Sequence, residues 1–457
     1  MGTIMDTNNI LRIEKGELFE LRDHSVESIN IPDGVIRICL GAFHHCHNLR
    51  IVYIPESVKI IGGAAFCYCD NLQSVVFLGD ENRSIIIEES AFKGCTSLSS
   101  INLPKKVSLG RDVFTDCPSI GKSISVVMNG KHIVYYSPTN QSAEYVIPTE
   151  VTIIDKYAFI DCTSLQSVIV PEGLEQIDDF AFEGCTSLQK LFIPKSVTEI
   201  GRMAFRGCDH LKSIDVDKDN ERYLSYNGIL FDHSLMSIIR FPPDIPSVTH
   251  VDNIPYYVRQ IGSGAFSGCK HLKSIVIPIS VMYINDFAFE NCESLENVTI
   301  MGNISEISDL TFSGCKSLKS ITFPESITEI GEGAFCDCTS LESILLPQGV
   351  KSILSSAFYG CTSLHSVFIP NSVSLIDGDD FGIGFYGSFK DCTSLHAIHC
   401  SIINPSLIEI GEHAFDGVPM DTCTLYVPCD SLEEYRKHPV FGLFKNIKVE
   451  KTEQLSR

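Results

Sequence analysis

The stretch "AFEGCTSLQKLFIPKSVTEIGRMAFRGCDHLKSIDV", residues 181–216, contains its own echo: "AFEGCTSL" returns 23 residues later as "AFRGCDHL". Taking the Phe of this pair as a marker gives Phe43, Phe66, Phe92, Phe114, Phe159, Phe182, Phe205, Phe266, Phe289, Phe312, Phe335, Phe358, Phe389 and Phe415. Seven of the thirteen gaps are 23 residues; the others, 22, 26, 26, 31, 45 and 61, read as loop insertions plus two places where a degenerate unit or a larger excursion intervenes. A period of this length constrains the fold more than any other feature. One such unit cannot cover its own apolar side, whereas stacked units bury a continuous interior.

Within a unit the consensus is roughly L-x-S-I-x-I-P-x-S-V-x-x-I-G-x-x-A-F-x-x-C-x-S. In "LKSIVIP" (272–278), Leu272, Ile275 and Ile277 point one way and Val276 the other, as a half-buried strand requires. The Pro that follows lacks the N–H needed to continue a ladder and ends the strand. The next piece is too short and too β-branched for a helix, so a second short strand or extended turn is expected before "AF". The Gly of the "IG" step (Gly201, Gly262, Gly331, Gly411) is expected to mark a tight turn at positive φ.

Thirteen of the 19 cysteines lie three residues after a marker Phe, from Cys46 to Cys392. A small, weakly polar side chain suits a tight inner turn. Side chains pointing inward in parallel are poorly placed for disulfides, so the count is read as core rather than as a disulfide framework.

The formal charge of −22 repels phosphate backbones and anionic lipid surfaces, which argues against nucleic acid as a partner. No apolar run approaches the roughly 18 residues of a membrane span, so membrane insertion is not expected. The N-terminal stretch has no basic region followed by an apolar one. Location is therefore read two ways: cytoplasmic if Met1 is the true start, cell surface or secreted if a leader was removed.

The hydrolase, zincin and phosphate-loop signatures G-x-S-x-G, H-E-x-x-H and Walker-type are missing. "GIGFYG" (382–387) formally matches G-x-G-x-x-G, yet no βαβ unit accompanies it, and it is read as a loop. The preceding "DGDD" (377–380) is read as a solvated acidic turn. "HHCH" (44–47) and the pairs Cys67/Cys69 and Cys336/Cys338 offer no full tetrahedral set, because one Cys of each is the inward repeat residue. No metal, cofactor or catalytic residue is assigned. The sequons at Asn82, Asn140, Asn297 and Asn303 have meaning only in a eukaryotic secretory route.

"IPKSVTEIGRMAFRGCDHLKSI" resembles the BspA-type leucine-rich repeats of bacterial surface proteins and some protozoan proteins, and the match recurs from about residue 29 to 428. Residues 220–251 resemble the hairpin-like interruption of that family, and 423–447 its closing module. The resemblance implies a β-rich, right-handed solenoid of short parallel strands with little helix, curved and used for binding, often in adhesion to host or matrix proteins.

The expected layout is a cap or hairpin over 1–28, a solenoid over 29–428 with interruptions near 121–146, 215–255 and 377–387, and a C-terminal cap over 429–457. "NG" between alternating residues reads as a hairpin in 121–146, and "DSLEEYRKHPVFGLF" as a helix N-capped by Asp430 or Ser431. One continuous domain bent at two places is expected.

The outward strand position, ten residues after each marker, reads Tyr53, Val76, Asn102, Ile169, Phe192, Asp215, Val276, Thr299, Thr322, Leu345, Phe368 and His399. The apolar members Tyr53, Val76, Ile169, Phe192, Val276, Leu345 and Phe368 form a candidate exposed stripe of the type that marks a protein-binding surface. The plainer reading is that β-branched and aromatic residues support neighbouring strands. The function expected is a non-enzymatic, adhesin-like module presenting this sheet surface to a protein partner. The alternatives are an intracellular scaffold or effector solenoid, and an enzyme with its site in an interruption such as 215–255 or 377–387. The sequence leaves the oligomeric state open.

Overall fold

Each repeat folds as one turn with three hydrogen-bonded sides. The computed structural model of the chain describes residues 10–120, 126–129, 131–233, 236–245, 248–251, 254–377 and 386–450. Contacts fall into two compact units, Met1–Cys208 and Asp209–Arg457. Both are β-solenoids of parallel strands.

The first side of a turn is the alternating segment. In the first unit Ser28–Asn30, Ile51–Ile54, Ser74–Phe77 and Ser100–Ile101 form one sheet, and Glu144–Val146, Ser167–Ile169 and Lys190–Ile193 belong to another. In the second unit His250–Val251, Ser274–Ile277, Asn297–Ile300 and Ser320–Thr322 pair in order, as do Ser343–Leu345, Ser366–Ile369, Ala397–Cys400, Thr424–Val427 and Asn446–Val449. The second side is the two-residue strand after the proline corner, such as Glu329–Ile330, Ser352–Ile353 and Leu375–Ile376. The third is the "AF" corner, where the marker N–H donates to the carbonyl of the residue before the next marker: Phe43 to Ala65 at 2.7 Å, Phe266 to Ala288 at 2.7 Å, Phe289 to Thr311 at 2.8 Å. Pairing on three sides leaves few buried backbone groups without partners.

The marker rings stack along each unit. Phe43, Phe66 and Phe92 lie 4.7 and 5.1 Å apart; Phe266, Phe289, Phe312, Phe335 and Phe358 follow at 5.0–5.5 Å, near parallel. The two long gaps in the sequence period are filled by substitutes. Tyr136 stacks on Phe159 at 5.1 Å, and Phe241 on Phe266 at 4.8 Å. Tyr136 ends the second strand of the hairpin Val126–Asn129 with His132–Tyr136, and Phe241 follows the antiparallel strands Tyr223–Tyr226, Ile229–Asp232 and Ser237–Arg240.

The repeated cysteines are buried, and all 19 are free thiols. Twelve of them donate to the carbonyl of the preceding turn's marker or its substitute, at 2.9–4.0 Å. The Phe289 carbonyl, for example, accepts from the Cys292 N–H of its own turn and the Cys315 thiol of the next, each at 3.2 Å. The thiol thus fills a second lone pair with a donor that is cheap to bury. Burial and the neighbouring thiols push the buried Cys292, Cys338 and Cys361 well above the ordinary thiol range, desolvation being the largest cause.

The glycine of the "IG" step corrects the expectation placed on it. None of Gly201, Gly262, Gly331 and Gly411 has positive φ. A Cβ on Gly262 or Gly331 would instead stand 2.8 or 2.7 Å from the carbonyl oxygen of Ile238 or Ile307, one turn back. Glycine is needed there for close approach of backbones. The left-handed residues lie two before and two after the marker, as at Ala64 (φ 50°) and Tyr68 (φ 57°) around Phe66.

At the C-terminal end, Leu432–Lys437 is the one α-helix among the described residues. Ser431 precedes it, but its hydroxyl donates to the Ile403 carbonyl and makes no helix cap. The helix instead seats the buried Tyr435, whose hydroxyl donates to the Ile402 carbonyl at 2.9 Å. The strand Asn446–Val449 then pairs parallel with Thr424–Val427, an element the sequence reading did not separate from the cap.

Candidate protein-binding surface

On the first side of each turn, alternation sends one side chain in and the next out. Parallel register then fixes which outward side chains adjoin. Asn30, Tyr53 and Val76 are in register, with Tyr53 and Val76 half-buried. Asn102 closes that row by turning its amide back: its Oδ1 accepts from the Phe77 N–H at 2.7 Å and its Nδ2 donates to the Phe77 carbonyl at 3.0 Å. Val146 pairs with Ile169, and Phe192 extends the row one strand further; all three are exposed.

In the second unit Val276 is half-buried beside Thr299 and Thr322, so its row is mostly polar. Leu345, Phe368, His399, Tyr426 and Lys448 make a second row there. Leu345 is 63% exposed. The rings of Phe368 and His399 stack at 4.3 Å and those of His399 and Tyr426 at 4.8 Å, each within 8° of parallel. His399 Nδ1 lies 2.8 Å from Glu450 Oε2, both side chains largely buried, which fixes the imidazole between its neighbours. The seven apolar candidates are therefore divided among separate rows of three to five residues.

Sequence reasoning missed Val146, Tyr426 and Glu450. Val146 stands ten residues after Tyr136, so a substitute marker would have revealed it. Tyr426 stands eleven after Phe415, displaced by one inserted residue. No local signal marks Glu450, which comes to His399 only through the pairing of the last two strands.

In the histidine-rich segment the rings of His44 and His45 adjoin at 4.1 Å and those of His45 and His47 at 5.3 Å, and two of them engage separate partners in the next turn. His45 stacks on Tyr68 at 5.2 Å, and His47 Nδ1 sits 2.9 Å from Asp70 Oδ2. Burial pushes the Cys336 thiol up to about 12, which disfavours a thiolate. Among the described residues no three His, Cys, Asp or Glu side chains are grouped to hold a metal ion, and no helix is long and apolar enough to cross a membrane. A cleft of about 210 Å³ beside the strand His132–Tyr136 is lined by Asp112, Thr115, Asp116, Tyr135, Lys156, Tyr157, Asp161 and apolar residues, and none of its lining residues is His, Cys or Ser. Gly378 to Phe385, which include most of "DGDD" and "GIGFYG", lie outside the described residues.

A family model described as a BspA type leucine rich repeat region matches residues 16–143, 131–253, 259–382 and 383–448. No curated protein matches the chain. Among solved structures, a leucine rich cell surface protein from Faecalibacterium prausnitzii is 28% identical over 84% of this chain and 89% of its own, with a TM-score of 0.46. A leucine-rich repeat protein from Bacteroides ovatus is 26% identical over 96% and 98%, with a TM-score of 0.40. The pneumococcal vaccine antigen PcpA is 19% identical over 97% and 98%, with a TM-score of 0.47.

Proposed function

We infer the function of this chain from its family: it belongs to the BspA-type leucine-rich repeat proteins, and is a protein-interaction repeat protein. The finer reading is a non-enzymatic, adhesin-like module that holds a protein partner on its outward sheet rows. The observation that carries it is the row Val146, Ile169 and Phe192, three exposed apolar side chains on adjoining strands. Ile169 lies on a strand paired on both sides, with Val146 and Phe192 on the strands that flank it, so the row is ordered before any partner arrives and little entropy is lost on contact. Rigid apolar and aromatic side chains at the centre of a contact supply most of its affinity. The row Leu345, Phe368, His399 and Tyr426 adds a stacked aromatic strip of the same type.

The test is an unbiased affinity capture with the intact chain, repeated with Ile169→Ser and Phe192→Ser together. The reading expects captured protein to fall at least about tenfold while thermal unfolding stays within a few degrees. Undiminished capture would remove this row from the binding surface.

A further inference from the structure

In the second unit, one corner breaks the rule of its own repeat. Directly after the strand-ending proline, sibling turns place Glu56, Lys195, Glu325, Gln348 and Asn371. Two successive turns place Tyr256, 81% exposed, and Ile279, 76% exposed, at that position. Three residues further on, where Lys59, Thr198, Thr328 and Lys351 stand elsewhere, Met282 is 50% exposed. Tyr283 beside it is 59% exposed. Met301, which replaces the proline of the following turn and donates its N–H to the Ile277 carbonyl at 2.8 Å, is 56% exposed. The repeat provides its own control here. Turns with charged or polar residues at these sites fold in the same way, so solenoid packing does not require five apolar ones.

Tyr256, Arg259, Pro278, Ile279, Ser280 and Met282 line one shallow groove. Its only charged lining group is Arg259, whose guanidinium donates to the carbonyls of Tyr256 at 2.9 Å and Ser280 at 3.5 Å. We propose that this corner is the contact through which two copies of the chain pair. Area supports a second copy as the occupant. With a large side chain exposing about 200 Å², the five residues offer on the order of 650 Å² per copy, or about 1,300 Å² in all, within the range of a specific interface. Charge supports it too. A chain of net charge −22 opposes its own copy over most of its surface, whereas a groove whose single charge is already bonded to backbone carbonyls does not. A two-fold contact sets the same patch against itself, so the projecting Tyr256 and Ile279 of each copy face the groove of the other. None of the outward-row residues takes part.

Sedimentation velocity of the full chain over a concentration series tests this. The expected result is a monomer–dimer equilibrium in which Ile279→Glu with Met282→Lys, residues that sibling turns carry at these sites, raises the dissociation constant at least about a hundredfold. Tyr256→Glu alone should act in the same direction, Phe192→Ser should leave the constant unchanged, and thermal unfolding of the dilute monomer should be the same for all. A chain that stays monomeric up to about 100 µM, a dimer that survives the double substitution, or a monomer that binds neutral phosphatidylcholine vesicles through these residues instead would overturn the proposal.

Discussion

Two glycines in consecutive turns separate a steric requirement from a conformational one. Gly62, in an "IG" step, would place a Cβ 2.8 Å from the Cys39 carbonyl carbon, the Ile38 oxygen and the Leu40 nitrogen, all backbone of the preceding turn. No side chain can rotate away to relieve that contact. Gly62→Ala must therefore open the turn spacing, at an overpacking cost of about 1–3 kcal/mol, and weaken the 2.7 Å bond from the Gly62 N–H to the Ile38 carbonyl, worth about 1 kcal/mol. The total comes to about 3 kcal/mol. Gly41 has φ +64°, but the nearest atom to its Cβ would be His44 Cβ at 3.8 Å. In the next turn Ala64 already occupies the equivalent position at φ 50°. Gly41→Ala should thus cost only the left-handed penalty of about 1 kcal/mol. Solenoids open in segments, so the readout is native-state hydrogen exchange over peptides covering 38–66, alongside urea unfolding of each variant. Equal losses, or a larger loss for Gly41→Ala, would return the constraint to backbone conformation and refute the close-approach argument.

Other predictions follow from burial and pairing. Alkylation of the native chain at pH 8 should label the exposed Cys429 fast, the partly buried Cys39 and Cys336 slowly, and the repeated cysteines only after denaturant, as intact mass will show. Phe368→Ser removes the ring stacked on His399 and should cost about 1–2 kcal/mol, whereas Phe192→Ser, at an exposed site, should cost less than about 1 kcal/mol; urea midpoints measure both. Glu183 is buried, its Oε2 has no hydrogen-bond partner, and burial raises its pKa despite Arg111 and Arg206. The native state then binds this proton more readily than the unfolded chain, so the site adds stability as pH falls from neutral through the raised pKa and loses it as pH rises. The difference in unfolding free energy between wild type and Glu183→Gln should follow that slope between pH 7 and 4.5; a flat difference would place the charge in a compensated site.

The stack was legible in sequence because its causes are local and repeated. Ile275 and Ile277 alternate with Val276, Pro278 removes a donor, and the marker Phe and its Cys recur at a spacing that no single compact turn could bury. The same redundancy made the cysteines readable as lining. It did not reveal that their thiols complete the marker carbonyls, since that bond joins residues 26 apart in most turns. The "IG" glycine misled for a related reason. Its constraint comes from the backbone one turn away, and a residue type alone cannot tell a missing Cβ needed for φ from one needed for space.

Read along the chain alone, the residues specify a repeated turn with an apolar interior and an outward position rich in large side chains. Which of those side chains meet depends on how the turns stack. Register between turns joined Val146 to Ile169 and Phe368 to His399 and Tyr426, put Val276 beside threonines, and left Tyr256, Ile279 and Met282 uncovered at one corner. Insertions of a few residues change the spacing along the chain without disturbing the pairing of strands, because hydrogen bonds set that pairing in space while the extra residues are absorbed in the loops.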